Sequence, residues 1–151
     1  MSRAPAERRS AFPHFEEITT RWKDNDLYGH VNNVVYYSYF DTAVNTFLIG
    51  EGVVDLVEKR IVGLVAETQC RFIRELAFPD TISVGLRIVH LGHSSVRWEI
   101  GIFRNAEDTA CAQGYFVQVY VDRVTGQKIP IPPAMQRAAS LIYRPLASSA
   151  P

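Results

Sequence analysis

The run Asp24-Asn25-Asp26-Leu27-Tyr28-Gly29-His30-Val31-Asn32-Asn33 concentrates two carboxylates, an imidazole, a glycine and the amide pair Asn32-Asn33 immediately before an apolar stretch. A carboxylate or an imidazole can take a proton from water, or attack an electrophilic carbon itself. A glycine reaches backbone angles closed to other residues and lets a bound group approach the main chain. Asparagine is a strong helix N-cap. A helix N-terminus offers unpaired N–H groups and the positive end of a dipole, which together can hold an oxyanion. The run therefore reads as an active site built where a helix starts. The sequence holds no Gly-x-Ser-x-Gly elbow and no His and Cys cluster with zinc-like spacing, which argues against serine and metallo hydrolases and predicts no metal.

Each of these residues also has a purely structural reading. Asp26 can close an Asx-turn or cap the helix, and Asp24 is expected to orient the turn, since one carboxylate suffices for chemistry. His30 can bond to backbone at the helix entry, orient Asp26, or donate to a substrate carbonyl. Asn32 and Asn33 are caps first. Asp41 lies two helical turns beyond Asn33 and is either a hydrogen-bonded acid near the site or a solvated helix carboxylate. His90 and His93 flank Leu91-Gly92 beside Ser94 and Ser95, which reads as a polar hairpin unless a ligand reaches it.

The elements that must position this run are legible from periodicity. His14 to Trp22 is β-branched and aromatic and suits a first strand. After Asn32 and Asn33, Tyr36, Phe40, Ala43 and Phe47 recur at helical spacing, with Tyr37, Val44 and Leu48 widening the stripe, and the helix should stop near Gly50. Residues 61–74, 81–91, 94–104 and 109–124 alternate with period two, so one face of each strand is expected to be buried. Short polar connections at 92–95 and 105–108 predict an antiparallel meander of the last three strands. Pro130, Pro132 and Pro133 end the ladder, and a short helix follows over 134–141. One long helix and about five strands, each with an apolar face, are reconciled by an antiparallel sheet wrapped around the helix, an α+β arrangement of the hot-dog type. Open sheet edges and apolar helix ends predict a homodimer, and a dimer of dimers beyond it.

The 151 residues, 47% of them hydrophobic, suit one domain, expected over 13–146, with disordered segments at 1–12 and 147–151. Sixteen basic and sixteen acidic residues cancel, so no overall field favours nucleic acid as a partner. Cys70 and Cys111 fall in strand-like segments without a leader upstream, which predicts reduced thiols and a cytoplasmic protein. No apolar run approaches the roughly 20 residues that span a bilayer, so no membrane insertion is expected.

The motif, followed by Tyr36 and the acidic Asp41, resembles the 4-hydroxybenzoyl-CoA thioesterase-like branch of the hot-dog superfamily. The likeness extends to Phe72, Pro79, Asp80, Gly92 and Ser95 and covers roughly residues 14–132. It implies that Asp26 is the catalytic carboxylate and that a backbone amide at the first turn of the central helix, near Asn33, polarises a thioester carbonyl. Asp26, His30 and Asn33 are thus the catalytic candidates. Gly29, Asn32, Tyr36 and Asp41 are substrate-binding candidates, joined by His93, Ser94 and Ser95, which fall where related enzymes contact the nucleotide of CoA. The His30-Val31-Asn32-Asn33 run is absent from aryl-CoA members and is similar instead to long-chain acyl-CoA and plant acyl-carrier-protein thioesterases. Tyr28 stands where that second group has asparagine, so a mechanism requiring that amide is not implied. The expected activity is hydrolysis of an acyl-CoA, fatty acyl rather than 4-hydroxybenzoyl, to a carboxylate and CoA, with no cofactor because CoA belongs to the substrate. The rival readings are a hot-dog hydratase or dehydratase on enoyl thioesters and a non-catalytic acyl-thioester binding module.

Overall fold

Asn32 starts the central helix α1 (Asn33–Gly50) by accepting a hydrogen bond from the Val34 N–H at 3.1 Å, as an N-cap does. From there Tyr36, Tyr39, Phe40, Ala43, Val44, Phe47 and Leu48 are buried on one side, a stripe of i, i+3 and i+4 neighbours. The helix stops where the Glu51 N–H turns back to Phe47 O and Gly52 takes a left-handed φ of 72°. The computed structural model describes residues 4–54 and 60–146.

Five strands receive that stripe: β1 (His14–Thr19), β2 (Ile61–Phe72), β3 (Thr81–Leu91), β4 (Ser95–Arg104) and β5 (Ala112–Asp122). They form one antiparallel sheet in the order β1-β3-β4-β5-β2, so the last three strands are the meander that their short connections predict. The short helix α2 (Pro133–Ile142) closes the chain and buries Met135, Ala138, Ala139 and Ile142. Phe47 meets Trp98 of β4 edge to face at 5.9 Å, and Phe40 meets Phe116 of β5 at 5.8 Å, so the helix is keyed into the middle of the sheet. Full burial of such side chains contributes about 1.5–3 kcal/mol each. The architecture is the hot-dog arrangement.

Two features differ from the expectations. The segment 7–12 is packed rather than disordered. Phe12 sits over Gly85 and Gly101, which face each other across β3 and β4, and a Cβ on either glycine would lie within 2.9 Å of its side chain. The missing side chains make the berth, Phe103 lines it at 5.8 Å, and the Ala110 N–H donates to Glu7 O at 2.9 Å. The expected tail at 147–151 lies outside the described residues.

The second difference is β2. Its alternation promises one buried face, yet most of it is exposed; Leu64 retains 54% of its surface. Only β5 pairs with it, with a register shift between Val65 and Glu67, and its other edge is free among the described residues. An edge strand has one side without a ladder partner, so its alternation does not by itself bury a face within this chain.

Candidate active site

The motif folds as a tight loop held by the first of its two aspartates. A 3-10 turn at Trp22–Asp24 brings Asp24 Oδ2 back to the Arg21 N–H at 2.9 Å, the Tyr39 hydroxyl of α1 donates to the same oxygen at 2.8 Å, and the Arg21 guanidinium donates to Oδ1 at 3.2 Å. Asp24 is 1% exposed. Burial alone would raise its pKa, but the Tyr39 and Arg21 hydrogen bonds outweigh it and hold the carboxyl below the ordinary carboxylate value. Asp24 is therefore the structural aspartate, and its backbone C=O accepts from the Asn32 N–H at 2.9 Å, which fixes the helix start.

Inside this frame the remaining residues form a second, looser turn. The Gly29 N–H donates to Asp26 O at 3.0 Å, and the Asp26 N–H donates to His30 O at 2.9 Å. Gly29 takes φ 82°, the left-handed conformation that closes the turn and that other residues adopt only at a cost. The connection from β2 to β3 braces the loop from outside, because the Val31 N–H donates to Leu76 O at 2.7 Å and the Phe78 N–H to Asn25 Oδ1 at 3.0 Å.

The result is a cleft of about 580 Å³ at the N-terminus of α1, bounded by Asp26, Tyr28, His30, Asn33, Tyr36 and the segment 72–75. Asp26 is half-buried; its Oδ1 accepts from the Tyr28 N–H at 2.9 Å, an Asx-turn, and its Oδ2 has no protein partner among the described residues. The two readings of Asp26, turn-former and free carboxylate, thus coexist on its two oxygens. At the helix start the Val34 N–H is taken by the Asn32 side chain and the Val35 N–H by Asn32 O. The Asn33 N–H is left over as the donor at the positive end of the helix.

His30 is oriented by a residue that the sequence did not single out. Its Nε2 stands 2.9 Å from Glu75 Oε2, so its carboxylate partner is Glu75 rather than Asp26. No spacing rule links residue 30 to residue 75, and only the folded connection after β2 brings them together. Tyr36 is buried at the back of the cleft with the Phe72 ring edge-on at 4.9 Å, and desolvation raises its phenol pKa. Tyr39, absent from the expected apolar stripe, is the side chain that ties the helix to Asp24.

Four candidates are not brought to this cleft within the chain. Asp41 is exposed, roughly 12 Å further along the helix axis, and accepts from Asn45 Nδ2 at 3.1 Å. His93, Ser94 and Ser95 form the β3–β4 turn, roughly 24 Å along β4 from the end of the sheet that borders the cleft. There, His93 O accepts from the Ile131 N–H and Ser94 O from the Tyr120 N–H, so the turn is tied to the C-terminal segment. Among the described residues, no group of three or more His, Cys, Asp or Glu side chains could hold a metal ion, and no helix is long and apolar enough to cross a membrane.

The sheet wrapped on one helix is matched by known proteins. The model of the thioesterase-like superfamily matches residues 20–139. The PA5185 protein of Pseudomonas aeruginosa is 44% identical, with a TM-score of 0.89 over 97% of this chain and 100% of that one. A thioesterase of Thermus thermophilus, solved with coenzyme A and Zn, is 32% identical, with a TM-score of 0.71 over 86% of this chain and 95% of that one. YsmA of Bacillus subtilis is 24% identical over 80% of this chain and 81% of its own length. The chain belongs to the thioesterase-like superfamily and is a thioester hydrolase.

Proposed function

We propose that this enzyme hydrolyses the CoA thioester of a fatty acyl group rather than of 4-hydroxybenzoate, with Asp26 as the catalytic carboxylate. The observation that carries the reading is the pairing, in one cleft, of the unengaged Asp26 Oδ2 with the leftover Asn33 N–H. Asp26 takes a proton from water as the water oxygen bonds to the thioester carbon, or bonds to that carbon itself to give a mixed anhydride that water then opens. In either route the carbonyl oxygen becomes an oxyanion at the Asn33 N–H, the C–S bond breaks, and CoA leaves as the thiolate. His30, steadied by Glu75, borders the same space and contributes a hydrogen-bonding group to substrate or water. Gly29, Asn32 and Tyr36 shape the cleft. The half-buried Cys70 and buried Cys111 are free thiols, which supports a cytoplasmic setting.

The working unit is a homodimer joined through β2. A twelve-residue edge strand without proline, exposing Leu64, Val65 and Phe72, is a template for another strand, and a second copy of the same edge satisfies it. Two antiparallel β2 strands related by a twofold axis place the Phe72 end of one beside the Ile61 end of the other. The partner's β3–β4 turn then lies on the cleft side, which supports a contact of His93, Ser94 and Ser95, and of Asp41 from the partner's helix, with bound substrate. A dimer of dimers is the further assembly we expect.

The test follows CoA thiol release with a thiol-reactive dye over acetyl-, benzoyl-, octanoyl- and palmitoyl-CoA, for wild type and Asp26→Asn, with the mass in solution measured by sedimentation. Turnover of the longer acyl groups that the substitution abolishes is the expected result. A folded dimer that releases CoA from none of them overturns the proposal, and hydration of an enoyl-CoA or tight binding without turnover would name the replacement.

A further inference from the structure

A second cavity, of about 600 Å³, lies at the other end of α1 and β2. Leu48 at the end of the helix, Val53 and Val54 after it and Ile61 of β2 give it apolar walls, and Asn45, Asp122 and Arg123 also line it. From β5 come two side chains of a different kind, Gln118 and Tyr120, which are 3% and 4% exposed. The Trp98 indole N–H donates to Gln118 Oε1 at 2.9 Å, and because indole is only a donor this bond fixes the amide with its Nε2 on the other side. Neither Gln118 Nε2 nor the Tyr120 hydroxyl has a hydrogen-bond partner among the described residues. Burial pushes the Tyr120 phenol up to about 12, so it keeps its proton at neutral pH. Neither atom is sealed from solvent, so both donors open into the cavity that their residues line, and a cavity with apolar walls and a few convergent polar groups is the usual form of a small-molecule site.

We propose that this cavity receives the acyl group of the substrate, and that this group carries a hydroxyl or carbonyl oxygen which accepts hydrogen bonds from Gln118 Nε2 and Tyr120 Oη. The inference rests on the thioesterase reading and on the β2-paired dimer. Pairing about a twofold axis normal to the sheet keeps both helices on one face and sets the Ile61 end of β2, where this cavity lies, beside the partner's Phe72 end, where the cleft lies. A thioester held in one protomer's cleft can thus extend its chain into the other protomer. The hydrocarbon part meets Leu48, Val54 and Ile61. An unsubstituted chain filling the cavity would shut these two donors off from water without a partner, and a site built to bond a substrate oxygen discriminates against the analogue lacking it by roughly tenfold or more.

The experiment compares kcat/KM for octanoyl-CoA with that for octanoyl-CoAs hydroxylated at each position from C3 to C8, in wild type and in Tyr120→Phe. That substitution deletes a hydroxyl without a protein partner and leaves the ring. The expected result is one hydroxylated isomer preferred about tenfold or more over octanoyl-CoA, with the preference reduced severalfold in the variant. Equal use of all chains by wild type, or an unchanged ratio in Tyr120→Phe, overturns the inference. Calorimetry with the corresponding non-hydrolysable thioethers separates this from the hydrolase reading. Selective binding that Tyr120→Phe weakens, without CoA release from any thioester, keeps the cavity assignment and removes the hydrolase. CoA release without selective binding does the reverse.

Discussion

Asp24 and Asp26 are two residues apart and chemically identical, yet one half of the loop is consumed by structure and the other is left for chemistry. Asp24 is buried and takes hydrogen bonds from the Arg21 backbone, the Arg21 guanidinium and Tyr39. Asp26 is half-buried and spends one oxygen on the Tyr28 N–H. The difference teaches that a carboxylate can keep an oxygen free in a tight loop when a neighbour has done the structural work. Because Asp24 anchors the helix start, Asp26 can keep an oxygen uncommitted and the Asn33 N–H can face an open cleft.

If that division holds, the largest effect belongs to the free half. Asp26→Asn should lower kcat by about 10²- to 10⁴-fold while the melting temperature stays near wild type, since its Oδ1 contact survives as an amide oxygen. Next is Asn33→Pro, which removes the N–H along with the exposed side-chain amide, and Asn33→Ala is the control that removes the amide alone. Asn33 is the first residue of α1, where proline is tolerated, and Asn32 already has the extended backbone that a following proline demands, φ −61° and ψ 138°. A loss of roughly 10²- to 10³-fold in turnover is expected with the helix signal in circular dichroism intact. Undiminished turnover would place the oxyanion elsewhere.

The anchored half should respond in stability instead. Asp24→Asn is expected to cost about 2–4 kcal/mol in urea unfolding at pH 7, because buried donors lose an anionic acceptor. The folded pKa of Asp24 lies below its ordinary 3.8, so the stabilisation is full above that value and is lost as pH falls through the folded pKa. The gap between wild type and Asp24→Asn should therefore close on acidification below 3.8. A gap that persists at the lowest pH would show that packing, not charge, holds the turn. The smallest effect is that of Gly29→Ala. A Cβ there meets nothing within 4 Å, so only the positive φ is penalised, at about 1 kcal/mol.

Local regularities carried most of the fold into the sequence. The helix and strand periods gave elements whose observed ends differ by a few residues at most, and the short connections set the order β3-β4-β5. The polar run was recognisable as a candidate site because acid, glycine and capping amide lie within ten consecutive residues, a distance over which backbone geometry follows from residue type. What the sequence could not hold are contacts between distant positions: Glu75 against His30, Tyr39 on Asp24, Phe12 over Gly85 and Gly101, and the emptiness beside Gln118 and Tyr120. The sequence assigned the structural role to Asp24 but not the contacts that hold it, since burial is a property of everything packed around a side chain. The sequence by itself determined which elements form and which residues could do chemistry, because period, caps and turn residues act locally. Only the tertiary structure decided what holds Asp24, which carboxylate faces His30 and, among the described residues, that the outer edge of β2 is left open, because those depend on parts of the chain that meet only after it has folded.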